Sequence, residues 1–435
     1  MKIWRAYKTE LDPNNRIRTL FLKHAGVRRW AYNWGLRRKI EEYRNTGKSP
    51  SAITLCSELN RLKKADPAQG GVPWLYEVSK YAPQEALRDL DEAYENFFRR
   101  VKNGEKPGFP RFKSKKSGIG SFRFASRIRI FERHIQLSRI GRIRLKERGY
   151  LPFDNPKIRI LSATVTERAG RWFVSVQVEE EIDDKYSPKE VGGVDVGIDA
   201  LATLSDGTKF ENSRILVRAA RKLTHLQRAV SRKKKGSKNR QKAVRKLAEA
   251  HARVARVREN VLHGISSAIA KRFGIVGMED LNLAGMGRNR ALAKALHDAA
   301  LSELARQVKY KAEWSGGRVV LADRFFPSSK KCSRCGHVKG ELLLKDRVYV
   351  CEACGLVLDR DENAAINLKA VAASEAETSN ACGADVRPCT SRQIARKQEP
   401  NAILGDTKVG KLRKTDVLEV DSILRKRRKE HGGKT

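Results

Sequence analysis

Residues 191–207 read VGGVDVGIDALATLSDG, an apolar and glycine-rich run that carries Asp195 near its start. Apolar residues on both sides of this acid predict a buried strand, and a second strand follows in series and ends in an Asp-Gly turn. A carboxylate inside a buried strand is costly unless it is paired, hydrogen-bonded or bound to a metal. Asp195 is therefore a candidate metal ligand, with the capping of a turn as the alternative.

The chain after this stretch alternates between helical and strand patterns. Residues 213–272 have a long helical pattern that is broken at KKKGSKN (233–239), which predicts a helical hairpin. FGIVGMED (273–280) predicts a short apolar strand that ends in acid, residues 292–313 predict a helix, and RVVLADRFF (318–326) predicts another strand. Alternating strands and helices predict an α/β domain.

The N-terminal half has a different pattern. Residues 2–8 alternate like a strand, whereas residues 15–45 and 74–103 have helical periodicity. Residues 121–181 alternate in polarity and contain a Gly-bearing hairpin turn, which predicts a small antiparallel barrel or sheet. After about residue 375 the chain becomes polar and irregular, and we expect it to be largely disordered.

A basic segment separates these helical and strand patterns. RRVKNGEKPGFPRFKSKK (99–116) holds eight basic residues and one acid, with Phe109 and Phe112 between them. Its Pro and Gly residues forbid a continuous helix. The segment is either a solvated linker or a phosphate-binding loop anchored by its two rings, and Arg111 and Lys113 are its candidate nucleic-acid contacts.

The charge of the chain indicates a polyanionic partner. Among 435 residues, 91 Lys and Arg face 50 Asp and Glu, which gives a net charge of +41. The basic residues recur along most of the chain and not on one amphipathic helix, which favours nucleic acid over a membrane surface. No apolar run approaches the roughly 18 residues of a spanning helix, and MKIWRAYKTE lacks a signal-peptide core. We expect a cytoplasmic protein in a reducing compartment.

Four of the seven cysteines form two CxxC pairs. Cys332 and Cys335 precede Cys351 and Cys354 by fifteen intervening residues, a spacing that predicts zinc. Each CxxC turn brings two thiolates about one tetrahedral edge apart, and four protein ligands leave no open position, so the zinc should be structural. His337 is a less favoured ligand. The remaining cysteines, which are not expected to bind the metal, are Cys56, Cys382 and Cys389.

Three carboxylates at predicted strand and helix ends form a second candidate metal site. Asp195, Glu279 and Asp361 come from separate elements and offer the hard oxygen ligands that Mg²⁺ takes. Without cations they would repel one another and take up protons, whereas two divalent ions would keep them ionised and would clamp a phosphoryl displacement. Alternatively, Glu279 with Asp280, or Asp359 with Asp361, could cap helix starts.

The motifs GVDVGIDALATLSDG, IVGMEDLNLAGM and CSRCG…CEACG followed by DRDENAAINL resemble, in order and spacing, the nuclease half of TnpB (OrfB) proteins. These are the RNA-guided DNA endonucleases of insertion sequences, related to compact type V CRISPR effectors. YNWGL, VPWLYEVSKYAPQEAL and GFPRFKSKK are similar to the N-terminal half of the family. The resemblance implies a multidomain α+β and α/β protein. Its first part would be a wedge β-barrel that holds a helical recognition insertion. Its second part would be a RuvC-like nuclease of RNase H fold with an inserted zinc ribbon.

The resemblance also implies boundaries and roles. The implied segments are a first wedge strand (1–12), a helical recognition domain (13–112), the wedge barrel (113–188), the first nuclease part with a helical hairpin (189–328), the zinc ribbon (329–357), the second nuclease part (358–378) and a disordered tail (379–435). Asp195, Glu279 and Asp361 would be catalytic and would bind two Mg²⁺, with Asp359 behind them. Lys80, Tyr81 and Gln84 match positions that contact the target-adjacent motif, although an ordinary amphipathic helix would explain them too.

The implied partners are a guide RNA and double-stranded target DNA, with one protein chain for each guide. Base pairing would supply sequence recognition, while the protein supplies charge, shape and the check of a short adjacent motif. Three other functions stay open at this point. They are a catalytically idle guided repressor, a transposase that acts directly on DNA ends, and an unguided structure-specific nuclease.

Overall fold

The computed structural model describes residues 2–115, 118–182, 190–343 and 346–381, which all belong to one compact unit. The predicted linker KYSPKE falls outside these ranges except for Glu190, and so does the predicted tail beyond residue 381. No helix in the described part of the chain is both long and apolar enough to cross a membrane.

Seven strands of the N-terminal half pair in one antiparallel sheet. They are β1 (Lys2–Asp12), β2 (Ser121–Phe124), β3 (Arg129–Ile130), β4 (His134–Leu137), β5 (Gly141–Leu145), β6 (Ile158–Arg168) and β7 (Arg171–Glu181), in the order β2-β6-β7-β1-β5-β4-β3. Trp172, Val174 and Val176 are buried at every second position of β7, which places one face of the sheet on a core. Because β2 and β3 end the described order, closure into a wedge barrel stays a prediction.

Three helices of this half are α1 (Asn15–Thr46), α2 (Ala52–Lys64) and α3 (Tyr81–Lys102). Helix α1 supplies Phe21 to the core under the sheet, and its Gly35 faces α3, where a Cβ atom would lie 2.5 Å from Leu87 Cδ2. Helix α2 was not predicted from the sequence. Its buried residues are spaced at three and four, as an amphipathic helix requires: Ala52, Leu55 and Leu59.

Five further strands form a mixed sheet. They are β8 (Glu190–Asp195), β9 (Ala200–Leu204), β10 (Lys209–Glu211), β11 (Phe273–Glu279) and β12 (Arg318–Ala322), in the order β10-β9-β8-β11-β12. Strand β11 runs parallel to β8 and β12, and the other pairings are antiparallel. This sheet confirms the predicted α/β pattern and adds β10 after the Asp-Gly turn.

Helices cover both faces of the mixed sheet. The predicted hairpin is confirmed as α4 (Ile215–Ser231) and α5 (Lys238–Arg272), followed by α6 (Leu283–Met286), α7 (Arg290–Ala299) and α8 (Leu301–Trp314). The helical pattern predicted over 292–313 is confirmed except at Ala300, whose left-handed backbone with φ 51° divides it into α7 and α8. Val194 and Met278 face α5 and α8, whereas the alternate residues Gly193 and Gly277 face the last helix, α9 (Arg360–Ala381).

Helix α9 follows a small hairpin of β13 (Val348–Val350) and β14 (Val357–Asp359). The irregular structure expected from about residue 375 is wrong as far as Ala381, because the chain stays helical to that residue. The sequence from Arg360 to Cys382 contains no Gly or Pro that would end the helix, and Ala372 is fully buried against the sheet.

Candidate active site and metal centre

The carboxyl ends of two parallel strands bring Asp195 and Glu279 to one edge of the mixed sheet. Gly193 of β8 is in register with Gly277 of β11, and each acid lies two residues further along its strand. Since side chains alternate along a strand, each acid projects from the same face as its glycine. The pattern of glycine, one residue, then acid therefore puts both carboxylates on the face that α9 covers.

Helix α9 completes the site because the two glycines let it approach closely. A Cβ atom on Gly193 would lie 1.8 Å from the carbonyl oxygen of Ala365, and one on Gly277 would lie 2.1 Å from that of Leu368. Only residues without a side chain permit this approach. Asp361 lies in the first turn of the same helix and is thereby carried to the strand ends.

The three carboxylates interact electrostatically. Asp195 is half-buried, and burial together with the negative charges of Glu279 and then Asp361 raises its pKa to about 8, while Arg360 acts in the opposite direction. The chain thus holds an acid that resists ionisation unless a cation joins it. The three carboxylates stand further apart than a closed ligand set requires; among the described residues, only the four cysteines of the CxxC pairs converge that tightly.

The neighbouring acids have other partners. Asp359 accepts the N–H groups of Asp361 (3.0 Å) and Glu362 (3.2 Å), so it caps α9, and its other oxygen lies 2.7 Å from Lys209 Nζ. Burial alone would raise the pKa of Asp359, but the hydrogen bonds from Lys209 and the helix N–H groups lower it. Asp280 pairs with Arg324 at 2.6 Å. The capping alternative thus applies to Asp359.

Glu279 is fixed by a residue that the sequence did not indicate. The hydroxyl of Ser328, which is 4 % exposed, donates a hydrogen bond to Glu279 Oε1. Glu279 does not cap the following helix, since the side chain of Asn282 does so by accepting the N–H of Gly285 at 3.0 Å. Only the parallel register of β11 and β12 brings the segment that carries Ser328 to this glutamate.

The four cysteines form a compact cluster. Their ligand atoms all lie within 4.8 Å of one another; Cys332 Sγ is 3.6 Å from Cys354 Sγ, and Cys335 Sγ is 3.5 Å from Cys351 Sγ. Hydrogen bonds from the N–H groups of Cys354 and Ala353 lower the pKa of Cys351 to about 6, whereas burial and hydrogen bonds with the other thiols raise the pKa of Cys335. Cys351 is therefore the thiol that ionises most readily. Four thiolates in two CxxC loops fit a tetrahedral zinc ion.

The other candidates near the cluster have different roles. His337 contributes its carbonyl oxygen, which accepts the N–H of Cys332 at 2.8 Å, and its exposed side chain is not part of the ligand group. Cys56 packs in the core of the helical region, where burial raises the pKa of its thiol. Cys382 and Cys389 lie outside the described residues.

Two buried asparagines of α9 join the cysteine cluster to the acidic site. Asn363 donates to the carbonyl oxygen of Lys331 (2.8 Å) and accepts the N–H of Ser333 (3.0 Å). Asn367 donates to the carbonyl oxygens of Ser328 (2.8 Å) and Lys331 (2.7 Å). Sequence reasoning missed both, although two asparagines one helical turn apart after an acid were a signal of inward-facing polar contacts.

The residues proposed to contact the adjacent motif lie at the start of α3. Lys80 is exposed, with its Nζ atom 5.6 Å from the ring centroid of Tyr81. The Tyr81 ring packs edge-on against Phe124 at 6.4 Å, and Gln84 is half-buried. Lys80 is thus the most accessible of the three, while Tyr81 has a packing role of its own.

The basic loop is tied to α1. Asn33 accepts the N–H of Lys113 at 2.7 Å and donates to its carbonyl oxygen at 2.9 Å. The Lys113 ammonium lies 3.7 Å from the ring centroid of Tyr32, and burial lowers its pKa. Arg111 is exposed.

One of the two phenylalanines anchors this loop. Phe109 lies 5.6 Å from the ring centroids of both Tyr94 and Phe97, so the prediction that a ring anchors the loop is confirmed for it. Phe112 is 44 % exposed, so its ring contributes less burial to the anchoring of the loop.

Comparison with known proteins gives matches along most of the chain. The family model OrfB_IS605, described as "Probable transposase", matches residues 173–290, and the Cas12f1-like TNB domain matches residues 302–368. A model described as a helix-turn-helix domain of OrfB_IS605 matches residues 1–48, which here form β1 and the single helix α1.

Two curated relatives match nearly end to end. A protein of Streptomyces pristinaespiralis named "Putative RNA-guided DNA endonuclease" is 35 % identical over 92 % of this chain and 97 % of its own length. The protein of Escherichia coli strain K12 named "Putative RNA-guided DNA endonuclease InsQ" is 31 % identical over 94 % of this chain and 100 % of its own. A solved Cas12f1–sgRNA–target DNA complex aligns over 84 % of this chain and 99 % of that chain at 16 % identity, with a TM-score of 0.32 that is too low to compare the folds.

Proposed function

This chain belongs to the TnpB (OrfB_IS605) family, and from that premise we propose that it is an RNA-guided endonuclease that cuts double-stranded DNA next to a short adjacent motif. The names of its relatives and the matches over more than nine-tenths of its length support the proposal. The net charge of +41 supports it further, since a guide RNA and a target duplex are both polyanions.

The observation that carries the proposal is the meeting of Asp195, Glu279 and Asp361, which come from β8, β11 and α9. Burial and then the charges of the other two raise the pKa of Asp195, which supports their proximity in the folded chain. A mixed sheet whose neighbouring parallel strands β8 and β11 end in Asp195 and Glu279 supports the RuvC-like nuclease domain that the motifs predict.

The donor set fits divalent cations. Carboxylate oxygens are the ligands that Mg²⁺ takes, and bound ions would relieve the repulsion that keeps Asp195 protonated. When bound, two Mg²⁺ ions supply an activated water and stabilise the leaving oxygen of a phosphodiester. Asp195, Glu279 and Asp361 would hold these ions.

Other residues of the chain would hold the acids in place. Ser328 fixes the orientation of the Glu279 carboxylate through its hydroxyl, and Asn367 fixes Ser328 through its carbonyl oxygen. Asp359 orients the first turn of α9 by capping it, so that Asp361 faces the strand ends. Contacts of this kind position metal ligands before the metal binds.

A pair of adjacent acids provides a matched test. Glu279→Gln should lower the rate of guided cleavage at least about 100-fold, since it removes a metal ligand and not an outer contact. Asp280→Asn removes the next carboxylate along the chain, which pairs with Arg324 and is not a candidate metal ligand, and should slow cleavage by no more than about 10-fold. Cleavage is measured on a linear duplex target at saturating Mg²⁺ and guide RNA, and guided binding is measured by gel shift.

The outcomes separate the competing functions. Loss of cleavage in Glu279→Gln with retained guided binding is the expected result. Equal cleavage by Glu279→Gln and the wild type would remove this carboxylate from the chemistry. Wild-type protein that binds its guided target without cutting it would be the repressor, and protein purified free of RNA that cuts fully would be an unguided nuclease.

A further inference from the structure

An unusually exposed aromatic ring lies beside the acidic site. Phe325 is 88 % exposed, the largest exposure of any large apolar side chain in the described part of the chain. Its neighbour Phe326 is half-buried, with the ammonium of Lys331 5.6 Å from its ring centroid. Folding gains little from the Phe325 ring, which is left free to contact a ligand.

The backbone that carries Phe325 is held firmly next to Glu279. Ala322, the last residue of β12, is in register with Glu279, and Phe325 follows three residues later. The side-chain carboxylate of Asp323 accepts the N–H of Phe325 at 2.8 Å. The backbone carbonyl oxygen of Asp323 accepts the N–H of Phe326 at 3.0 Å. The ring is thus presented to solvent by an ordered turn and not by a loose loop.

Both sides of this turn are attached to the end of β11. On one side Arg324 donates two hydrogen bonds to Asp280, at 3.1 and 2.6 Å. On the other side the hydroxyl of Ser328 donates to Glu279. The backbone position of Phe325 relative to the carboxylates is therefore fixed by contacts at both ends of the turn.

We propose that Phe325 is a stacking platform for one base of the DNA strand that is cut at Asp195, Glu279 and Asp361. This inference rests on the proposed nuclease function. When a guide RNA pairs with one strand of a duplex, the other strand is displaced and unpaired. Unpaired bases stack on exposed aromatic rings in nucleic-acid-binding proteins. Lys330 and Lys331 follow in the same segment and add positive charge that suits a phosphate backbone better than an apolar protein partner.

Stacking also suits the chemistry of a guided enzyme. Every base has a π-face, so a phenyl ring holds a strand without reading its sequence. Guide pairing already supplies the sequence. The contact should therefore tolerate any base at the stacked position but should lose its effect when the base is missing.

An abasic scan tests this requirement. A single abasic site is moved along each strand of a guided target, and cleavage is measured for the wild type, Phe325→Ala and Phe325→Trp, with Ile53→Ala as the control. Ile53 is 80 % exposed and lies on α2. At one position the abasic site should slow the wild type and Phe325→Trp by about 5- to 150-fold, the range expected for one lost stack, and should not slow Phe325→Ala further.

Two results would overturn the proposal. One is Phe325→Ala cutting as fast as the wild type on intact DNA, which would leave a protein contact as the explanation of the exposed ring. The other is a loss of cleavage in Phe325→Ala that adds equally to the abasic effect at every position, because that is what a merely structural defect produces.

A binding measurement distinguishes failure of this inference from failure of the proposed function. Single-stranded DNA with 2-aminopurine at successive positions is added to the full chain. At one position the fluorescence should be quenched by the wild type and not by Phe325→Ala, even if no variant cuts DNA. Equal quenching by both proteins would show that no base stacks on Phe325, whether or not the protein is a nuclease.

Discussion

The cysteine cluster and the carboxylate cluster lie in the same half of the chain but are built in opposite ways. Each pair of thiols comes from one short CxxC loop, and the four Sγ atoms already lie within 4.8 Å of one another. The carboxylates come from β8, β11 and α9, and burial together with the charges of Glu279 and Asp361 raises the pKa of Asp195. Local geometry thus brings the thiols together without a metal, whereas an ionised Asp195 at the site made by the fold would need a cation to offset its burial and the neighbouring charges.

One helix connects the two clusters. Asn363 and Asn367 of α9 hold the carbonyl oxygens of Ser328 and Lys331, next to the first CxxC loop, while Asp361 of the same helix belongs to the acidic site. The comparison therefore predicts an asymmetry. Loss of zinc should disturb the carboxylates, but loss of a carboxylate should not disturb the zinc.

Among the changes that test this comparison of the two clusters, Cys351→Ser should have the largest effect. The variant should hold much less than about one zinc per chain, should unfold at a lower temperature, and should cut DNA at least about 10-fold more slowly because Ser328 loses its support. Cys56→Ser, which changes a cysteine outside the cluster, should keep its zinc. Zinc content is measured by atomic emission, and a fully zinc-loaded Cys351→Ser protein would contradict the four-thiolate site.

A smaller effect is expected from Asp195→Asn in buffer free of divalent ions. The pKa of Asp195 is about 8 in the folded chain and near its ordinary value of 3.8 in the unfolded chain. As pH rises through this window the unfolded chain loses the proton first, so the carboxylate destabilises the folded wild type progressively, by up to a few kcal/mol. The melting temperature of Asp195→Asn should therefore be higher than that of the wild type at pH 8. At pH 4 the two melting temperatures should be nearly equal.

Magnesium provides the internal check of that prediction. Added Mg²⁺ should stabilise the wild type more than the variant and should close the gap at pH 8. Asp280→Asn, which removes an exposed carboxylate from the same sheet edge, should lack the gain. If the difference in melting temperature between Asp195→Asn and the wild type were the same at pH 4 and pH 8, ionisation of Asp195 would not limit stability.

The smallest expected effect is a difference in the free energy of unfolding between two glycine-to-alanine variants. Gly277→Ala should destabilise the fold by about 1–3 kcal/mol, because its Cβ atom would lie 2.1 Å from the carbonyl oxygen of Leu368 and would push α9 away. Gly264→Ala, within α5, has nothing within 4 Å of the new atom and should stabilise by about 0.5–1 kcal/mol. Urea unfolding measures both. Equal effects would mean that α9 does not need its close approach.

The sequence predicted those elements whose pattern is local. The α4–α5 hairpin, the strand that ends at Glu279 and the antiparallel strands of the N-terminal half are all present. Arg258 interrupts the apolar pattern of α5 for a reason that only the structure gives. Its guanidinium lies 3.4 Å from Asp298, which also accepts the N–H of Leu216 (2.9 Å) and so caps α4 from a distant helix.

The parts of the site that could not be predicted depend on contacts across the fold. Ser328 has no spacing that marks it, and the spacing of Asn363 and Asn367 does not show which carbonyl oxygens they hold. These contacts depend on the register of β11 with β12 and on the packing of α9. Phe325 could not be singled out from Phe326, because the sequence does not say which of two adjacent rings is buried.

The sequence by itself identified the two sets of candidate metal ligands and the family resemblance. It also gave the positive charge that indicates a nucleic-acid partner. CxxC spacing fixes thiol geometry over four residues, and charge needs no fold to be counted. Only the tertiary structure decided that β8, β11 and α9 bring Asp195, Glu279 and Asp361 into electrostatic contact. Interaction between charges depends on distance in space, and for residues so far apart along the chain that distance is set by strand register and by two glycines that admit a helix.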